Sequence, residues 1–279
     1  MQPDVEFTEL GDVAYLTLRG PRMNSVARAM HHALAAQLDH VRTLSHIRFV
    51  VLRGADGVFS SGGDLNELAA GLPDDYVEDY RTRMDGTIRA ITEMGQIVVS
   101  VIEGAAIGAA AALAMSADLV LCARSATIRL SFVHVGYAPD AGATFLLPEL
   151  AGAVGRDILL TGRLLPADEA QAHGLVSRVC EDDDVDQALE ELLDELRLAP
   201  AHALGLTKRL MRGRSADEYL AAVYQEGETQ PLAAAEATPD LIEAVLERAR
   251  LQRDATRLRA DTQDTPTADQ GRQACTTDR

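Results

Sequence analysis

The chain has 279 residues, of which 47% are hydrophobic, so it can form one large domain or two small ones with a full core. Its formal net charge is −17. This charge argues against nucleic acid or an anionic membrane surface as the main partner, because both require a basic face.

The chain carries no sign of a targeting segment or a metal site. Met1–Glu6 has neither a basic start nor an apolar run, so we expect no signal peptide. The longest weakly apolar stretch, residues 104–117, is too short and too rich in small residues to span a bilayer. The cysteines are far apart and odd in number (Cys122, Cys180 and Cys275), which favours a reducing cytoplasm and no bound metal.

The first half of the chain alternates between apolar runs and helical periodicity. The predicted strands are Val5–Leu10, Val13–Arg19, Ile47–Arg53, Ile97–Ile102 and Leu119–Cys122. The predicted helices are Val26–Thr43, one that begins near Asp64, Asp74–Met94, and one that ends at Ala117. This alternation predicts an α/β fold, with helices layered on a sheet.

The second half is mostly helical from about Thr144. The predicted elements are a short helix from Pro166 to Gly174, a strand at Leu175–Val179, and helices at Asp184–Leu196, Ala201–Arg212, Ala216–Glu226 and Pro239–Gln252. We therefore predict a core over residues 1–195 and a helical region over 196–252 that packs on a neighbouring subunit or caps the site. Residues 253–279 are polar and non-periodic, and we expect a disordered tail.

Three glycine-containing turns each follow an apolar run and precede a predicted helix. They are Phe59–Leu65, Glu103–Ala111 and Gly136–Gly142. The first amides of a helix have no partner within the helix. Two such turns that face one cavity can therefore bind an oxyanion.

In this order, the turns resemble those of the crotonase superfamily, the enoyl-CoA hydratases and isomerases. The matching segments are Arg22–Ser25, Phe59–Leu65, Gly104–Asp118, Phe132–Gly142, and Leu160–Arg163 with Gly174–Val176. The resemblance covers about residues 5–252. It implies a spiral of ββα units, a homotrimer or dimer of trimers, and an acyl-CoA or acyl-carrier-protein thioester as substrate. It implies no cofactor beyond the coenzyme A of the substrate.

The resemblance also implies an oxyanion hole formed by the backbone N–H groups of Ser61 and Ala109. An enolate oxygen gains charge as the α-proton leaves, so preorganised donors stabilise it more than the neutral carbonyl. Many relatives carry glycine where Ala109 and Ala110 stand. A positive φ at Ala109 would strain the hole.

Two positions argue against ordinary hydration. Hydratases of this family hold water with two glutamates, which correspond to Ala112 and Phe132 in this chain. Neither side chain can move a proton.

Asp140 is the remaining candidate acid or base. Dienoyl-CoA isomerases and ring-oxepin isomerases carry an acidic residue at this position, and the dehalogenase branch carries a nucleophilic aspartate. An apolar pocket would raise the pKa of this carboxyl above its reference of about 3.9. We therefore predict an enoyl-CoA isomerase-like enzyme with Asp140 as acid and base. In a simpler alternative, Asp140 only caps a helix that begins at Ala141.

The further candidates bind substrate rather than react with it. They are Arg22, Gly62, Gly63, Asp64, Leu65, Phe132 and Tyr137. Arg22 and Arg248 resemble basic positions near coenzyme A, and Asp64 is the expected N-cap of its helix.

The sequence leaves other functions open. Asp140 could attack covalently in a thioester-dependent dehalogenase or hydrolase. The chain could be a dehydratase or decarboxylase of a biosynthetic pathway. It could also be a non-catalytic partner that binds acyl thioesters.

Overall fold

The computed structural model describes residues 4–212, 216–237, 240–245 and 247. The strands in these ranges are β1 (Asp4–Leu10), β2 (Val13–Arg19), β3 (Phe49–Gly54), β4 (Ile97–Ile102), β5 (Ala105–Ile107), β6 (Leu119–Ala123), β7 (Thr127–Arg129), β8 (Leu164–Pro166) and β9 (Arg178–Cys180). The helices are α1 (Pro21–Asn24), α2 (Arg28–Arg42), α3 (Leu65–Ala69), α4 (Tyr76–Glu93), α5 (Ala109–Met115), α6 (Ala143–Thr161), α7 (Ala167–Ala172), α8 (Val185–Arg197), α9 (Ala201–Arg212) and α10 (Ala216–Glu236).

The strands form two sheets. The larger has the order β1-β2-β3-β4-β6-β9, in which β1 and β2 are antiparallel and the other neighbours are parallel. The smaller has the order β5-β7-β8. Helices dominate the chain after β9, so the predicted α/β fold with a helical C-terminal region is confirmed. None of the helices in the described ranges has the length and apolarity to cross a bilayer.

The central strands are continuous apolar runs in the sequence because both faces of the larger sheet are buried. Every residue of β4 is buried, as are Phe49–Leu52 of β3. Helix α2 places Met30, Leu34 and Leu38 on its buried face, at helical spacing. The carboxyl ends of β3 and β4 lead into the first two glycine-containing turns.

Two predicted elements differ from the structure. The strand predicted at Leu175–Val179 lies at Arg178–Cys180, because Leu175 and Val176 are instead buried in the turn after α7. Helix α10 continues past Glu226 to Glu236. A Cβ added at Gly227 would lie 2.3 Å from the Tyr80 ring, so close packing on α4 accounts for a glycine inside this helix.

Part of the predicted C-terminal region cannot be compared with the structure. Residues 240–245 are helical, as predicted for Pro239–Gln252. Arg248 and the predicted tail over 253–279 lie outside the described residues.

Candidate active site

The first two glycine-containing turns lie side by side. The Ser60 amide donates to the Ala105 carbonyl at 2.9 Å, and the Ile107 amide donates to the Ser60 carbonyl at 3.1 Å. A Cβ at Gly62 would lie 2.4 Å from the Ile107 carbonyl oxygen. Gly62 also has a φ of +84°. Only glycine fits this contact, which brings the two turns together.

The structure contradicts the prediction that Ser61 supplies an oxyanion-hole amide. Its N–H donates to the Met23 carbonyl at 2.9 Å, and its hydroxyl donates to the Arg22 carbonyl at 2.7 Å. Both donors of Ser61 therefore hold the α1 segment in place. Its amide is not available to a ligand in this conformation.

Gly63 supplies the better-placed amide of this turn. The Val26 amide donates to the Gly62 carbonyl at 2.7 Å, as part of a short parallel bridge between Val26 and Gly63. The Gly62 carbonyl and the Gly63 N–H belong to one trans peptide group and point in opposite directions, so the Gly63 N–H points away from Val26. A Cβ added at Gly63 would meet one atom, in Leu68, at 3.8 Å. The space beside the Gly63 α-carbon is therefore largely open.

Ala109 stands at the start of α5, as the second turn predicts. Gly108, directly before Ala109, has a φ of +58°. Ala109 is not among the non-glycine residues of the described chain that have a positive φ. The strain that a positive φ would cause at Ala109 is therefore absent. The Gly108 amide donates to the Arg129 carbonyl at 2.7 Å, whereas the Ala109 amide belongs to the first turn of a helix.

Ala112 and Phe132, the positions predicted to replace the two glutamates of a hydratase, are both buried. Ala112 is fully buried inside α5, and Phe132 is 8% exposed. A Cβ added at Gly108 would lie 3.8 Å from the Phe132 ring, so this ring lies beside the second turn. Neither position therefore offers a carboxylate beside this turn.

The α1 segment holds an unusual backbone conformation next to these turns. Arg22, Met23 and Asn24 all have φ between 51° and 59°. Asn24 is 3% exposed and donates to the carbonyls of Ala55 and Val58 at 2.9 and 2.7 Å. Non-glycine residues in this region are costly and persist where surrounding contacts hold them.

Asp64 joins this segment to α3. Its Oδ1 accepts from the Asn66 amide and from Arg22 Nη1, both at 2.8 Å. The predicted N-cap is confirmed. The Arg22 side chain remains 58% exposed. Leu65 is half-buried as the first residue of α3.

Replacing Asp64 with alanine should lower the free energy of unfolding by about 1 kcal/mol, because α3 loses its N-cap. Urea unfolding would measure the change. Asp64→Asn keeps a capping oxygen and should stay close to the unaltered protein. Equal losses in the two variants would show that the pairing with Arg22, rather than the cap, is what stabilises this turn.

Asp140 does not cap the helix that follows it. Helix α6 begins at Ala143, and its N-cap residue, Gly142, makes no side-chain cap bond. Asp140 is half-buried, but its Oδ1 is shielded from solvent and has no hydrogen-bond partner in the described structure. The alternative that Asp140 serves only as a cap is therefore wrong.

The environment of Asp140 suits a proton acceptor near neutral pH. Its pKa is raised to about 7, chiefly because burial penalises the charged carboxylate. The negative charge of Glu226 adds to the rise, and Arg83 opposes it. A carboxyl with a pKa near the working pH can both take and return a proton.

The sequence analysis missed the residues of α4 around this carboxyl. Tyr76 and Tyr80 both interact electrostatically with Asp140. Arg83 lies over the Tyr80 ring, 5.0 Å from its centroid, and its Nε pairs with Asp79 at 3.0 Å. The tyrosines and Arg83 recur every three or four residues along α4, so they share one face. This periodicity is the signal that could have identified them.

Tyr137 links the Asp140 segment to α3. Its hydroxyl donates to the Leu68 carbonyl at 3.3 Å, and its amide donates to the Phe132 carbonyl at 3.1 Å. Residues 132–140, the two turns and α3 therefore form one connected region. The candidate residues Gly62, Gly63, Phe132 and Tyr137 all belong to it.

Two defined cavities lie elsewhere. One of about 340 Å³ is lined by Arg42, Arg48 and His202, before the amino ends of β3 and β4. The other, of about 260 Å³, is lined by Met115, Leu146 and other residues. Neither is lined by Asp140, so we do not place the candidate site in them.

Comparison with known proteins identifies similar chains. Residues 8–245 match the family model described as enoyl-CoA hydratase/isomerase. The chain is 34% identical, over 71% of its length and 77% of the relative's, to a 1,2-epoxyphenylacetyl-CoA isomerase of Escherichia coli K12. It is 30% identical, over 66% of its length and 72% of the relative's, to a 4-chlorobenzoyl coenzyme A dehalogenase-2 of an Arthrobacter species.

A solved structure shares the fold. The enoyl-CoA hydratase of Bacillus halodurans superposes with a TM-score of 0.80 and 24% identity. The match covers 86% of this chain and 99% of that one.

Proposed function

Because this chain belongs to the enoyl-CoA hydratase/isomerase family, we propose that it is an acyl-thioester isomerase. It would move a C=C bond between the β,γ and α,β positions of an acyl group carried on coenzyme A or an acyl-carrier protein. The observation that carries this proposal is the unpartnered, buried Oδ1 of Asp140. The absence of carboxyl groups at Ala112 and Phe132 leaves hydration without its usual machinery.

Asp140 would act first as a base and then as an acid. Its carboxylate takes the α-proton of a β,γ-unsaturated thioester, and the C–H electron pair forms a dienolate. The protonated Asp140 then returns the proton to the γ-carbon. The electrons shift to form the α,β double bond and restore the carbonyl, so one carboxyl serves both steps.

The amides of Gly63 and Ala109 would stabilise the dienolate oxygen. Both belong to turns that are in contact through Gly62 and Ile107. Each donor is fixed by backbone hydrogen bonds around it, so little reorganisation is needed as charge develops. Gly63 thus replaces Ser61 in the proposed hole.

The direct test is incubation with a 3-enoyl-CoA. We expect conversion to the conjugated 2-enoyl-CoA, followed by its ultraviolet absorbance and by mass spectrometry. The similarity to an isomerase that acts on a CoA thioester supports this choice of substrate. Binding of 3-enoyl-CoA without conversion, across acyl chains of several lengths, would favour the non-catalytic alternative.

The rate should depend on pH through the ionisation of Asp140. The base must be ionised to accept the α-proton, and its pKa is about 7. We therefore expect kcat/KM to rise about tenfold per pH unit below pH 7 and to level off above it. A profile that falls as the pH rises through 7 would assign Asp140 an acid role in the first step.

A second candidate reaction uses the same carboxylate as a nucleophile. The similarity to a dehalogenase of coenzyme A thioesters and the lack of a hydrogen-bond partner on Oδ1 favour it. Asp140 would then bond to an aryl carbon and form an ester as the halide leaves, or bond to the thioester carbonyl carbon and form a mixed anhydride as the thiolate leaves. Water would hydrolyse either adduct. Mass spectrometry of a quenched reaction with 4-chlorobenzoyl-CoA would detect this aspartyl adduct.

A further inference from the structure

Helix α10 holds the loop that carries Asp140, defined here as the Asp140 loop (Ala138–Thr144). Gln230 Nε2 donates to the Ala138 carbonyl at 2.8 Å and to the Pro139 carbonyl at 3.3 Å, before Asp140. Glu226, one turn earlier on α10, contacts the loop after Asp140. The same face of one helix therefore grips the loop on both sides of the carboxyl.

Glu226 makes the shortest of these contacts. It is 4% exposed, and its Oε2 accepts from the Gly142 amide at 2.6 Å. Its Oε1 accepts from the amide and the hydroxyl of Thr144 at 2.8 and 2.6 Å. The first turn of α6 has no side-chain cap of its own. From α10, Glu226 accepts hydrogen bonds from the amides at the amino end of α6. A negative charge is favoured at this end of a helix.

The loop needs such support because its backbone is strained. Ala141, a non-glycine residue, has a φ of +56°, whereas Gly142 adopts its φ of +81° without strain. The Ala141 amide donates to the Tyr80 hydroxyl at 3.0 Å, and the Tyr219 hydroxyl donates to the Ala141 carbonyl at 3.4 Å. A left-handed alanine persists only where its surroundings fix it.

We propose that Glu226 is a positioning residue for Asp140. Its carboxylate fixes the turn from Gly142 to Thr144 and thereby the orientation of the Asp140 carboxyl. This inference rests on the proposed function of Asp140 as the proton carrier. Glu226 does not touch the substrate in this account, because its oxygens are occupied by the loop.

Glu226 also acts on Asp140 through its charge. The groups that act electrostatically on Asp140 are Glu226 from α10 and Arg83 from α4, with Tyr76 and Tyr80 beside it. The pKa of Glu226 is raised by burial, and its hydrogen bonds with Thr144 and Gly142 oppose this rise. As an anion it raises the pKa of Asp140. Position and ionisation of Asp140 therefore both depend on Glu226.

The test replaces the carboxylate with an amide of the same shape. Glu226→Gln offers one acceptor oxygen to a site with three donors, so it should loosen the loop and remove the charge. We expect kcat to fall by up to about 10²-fold, with KM nearly unchanged, because the thioester is bound by other segments. The pH at which the rate is half-maximal should also move below that of the unaltered protein. Glu228→Gln, on the exposed side of the same helix, should change neither value.

A readout without substrate separates this inference from the proposed reaction. In protein labelled with ¹³C at aspartate carboxyls, the Asp140 signal is assigned by its loss in Asp140→Asn. Glu226→Gln should lower the titration midpoint of that signal and speed hydrogen exchange at the Gly142 and Thr144 amides. These changes in a protein that isomerises no thioester would retain the positioning role and reject the reaction.

The inference is overturned if Glu226→Gln folds, keeps kcat within twofold and leaves the Asp140 midpoint unchanged. If that variant does not fold, Thr144→Val removes only the hydroxyl bond to Oε1. It should lower kcat about fivefold, the effect of one lost hydrogen bond, with KM unchanged. An unaltered kcat in Thr144→Val would then reject the positioning role.

Discussion

Asp140→Asn should lower the isomerisation rate by about 10²–10⁴-fold, the usual contribution of a positioned acid or base. Asparagine has nearly the same shape but cannot accept and return a proton. The unpartnered Oδ1 of Asp140 makes no hydrogen bond that the fold would lose. The effect should therefore fall on kcat, with the protein still folded and still binding the thioester.

The same variant should change how stability depends on pH. The folded pKa of Asp140, about 7, lies above its unfolded value. Its favourable contribution is thus fully present below the unfolded pKa of about 3.9 and is lost as the pH rises through 7. The full shift corresponds to on the order of 4 kcal/mol. The free energy of unfolding of Asp140→Asn, minus that of the unaltered protein, should therefore increase from pH 5 to pH 8.

The exposed Asp39 provides the matched control for both effects. Asp39→Asn should alter neither the rate nor the pH dependence of urea unfolding. If Asp140→Asn keeps the full rate, Asp140 has no part in proton transfer. If its stability relative to the unaltered protein is the same at pH 5 and pH 8, the carboxyl is not buried in solution.

Ala109→Pro should lower the rate by about 10²–10³-fold, because proline removes one amide donor of the proposed oxyanion hole. The fold should tolerate the change. Ala109 is the first residue of α5, a position where proline needs no N–H and already has a suitable φ. A proline disfavours the helical region for the residue that precedes it. Gly108, with φ 58° and ψ −131°, lies outside that region.

Ala109→Gly is the control, since it keeps the amide and removes only the methyl group. It should retain a rate near that of the unaltered protein. Circular dichroism and thermal unfolding of the proline variant would establish that α5 is intact. A folded Ala109→Pro variant with an undiminished rate would remove this amide from the mechanism.

The sequence predicted those parts of the site that depend on local pattern. Buried runs such as Ile97–Ile102 identified strands, and glycines after them identified the turns. The start of α5 at Ala109 followed from the same pattern. The N-cap role of Asp64 followed from the preference of aspartate for this position. Each of these features is decided by a few neighbouring residues.

The errors arose where distant segments decide the outcome. Ser61 and Gly63 lie two residues apart in the same turn. Which of the two amides is free depends on Met23 and Val26, which bond to this turn from across the fold. Patterns of neighbouring residues do not show which distant segments will bond to this turn.

The support around Asp140 was missed for the same reason. Glu226 lies 84 residues from Gly142 along the chain, yet the two are joined by a 2.6 Å hydrogen bond. Charge and helical spacing alone describe Glu226 as one of many acidic residues on a helix. Its burial, which only the packing of α10 on α4 and α6 produces, distinguishes it.

The central claim, that one aspartate carries a proton from the α-carbon to the γ-carbon, can be measured directly by isotope transfer. A 3-enoyl-CoA with deuterium at both α positions would be converted in ordinary water, and the product analysed by mass spectrometry and NMR at early times. Because Asp140 Oδ1 is shielded from solvent, we expect part of the deuterium to appear at the γ-carbon. A product with only protium at the γ-carbon, formed while the remaining substrate keeps its deuterium, would contradict a single shielded carrier.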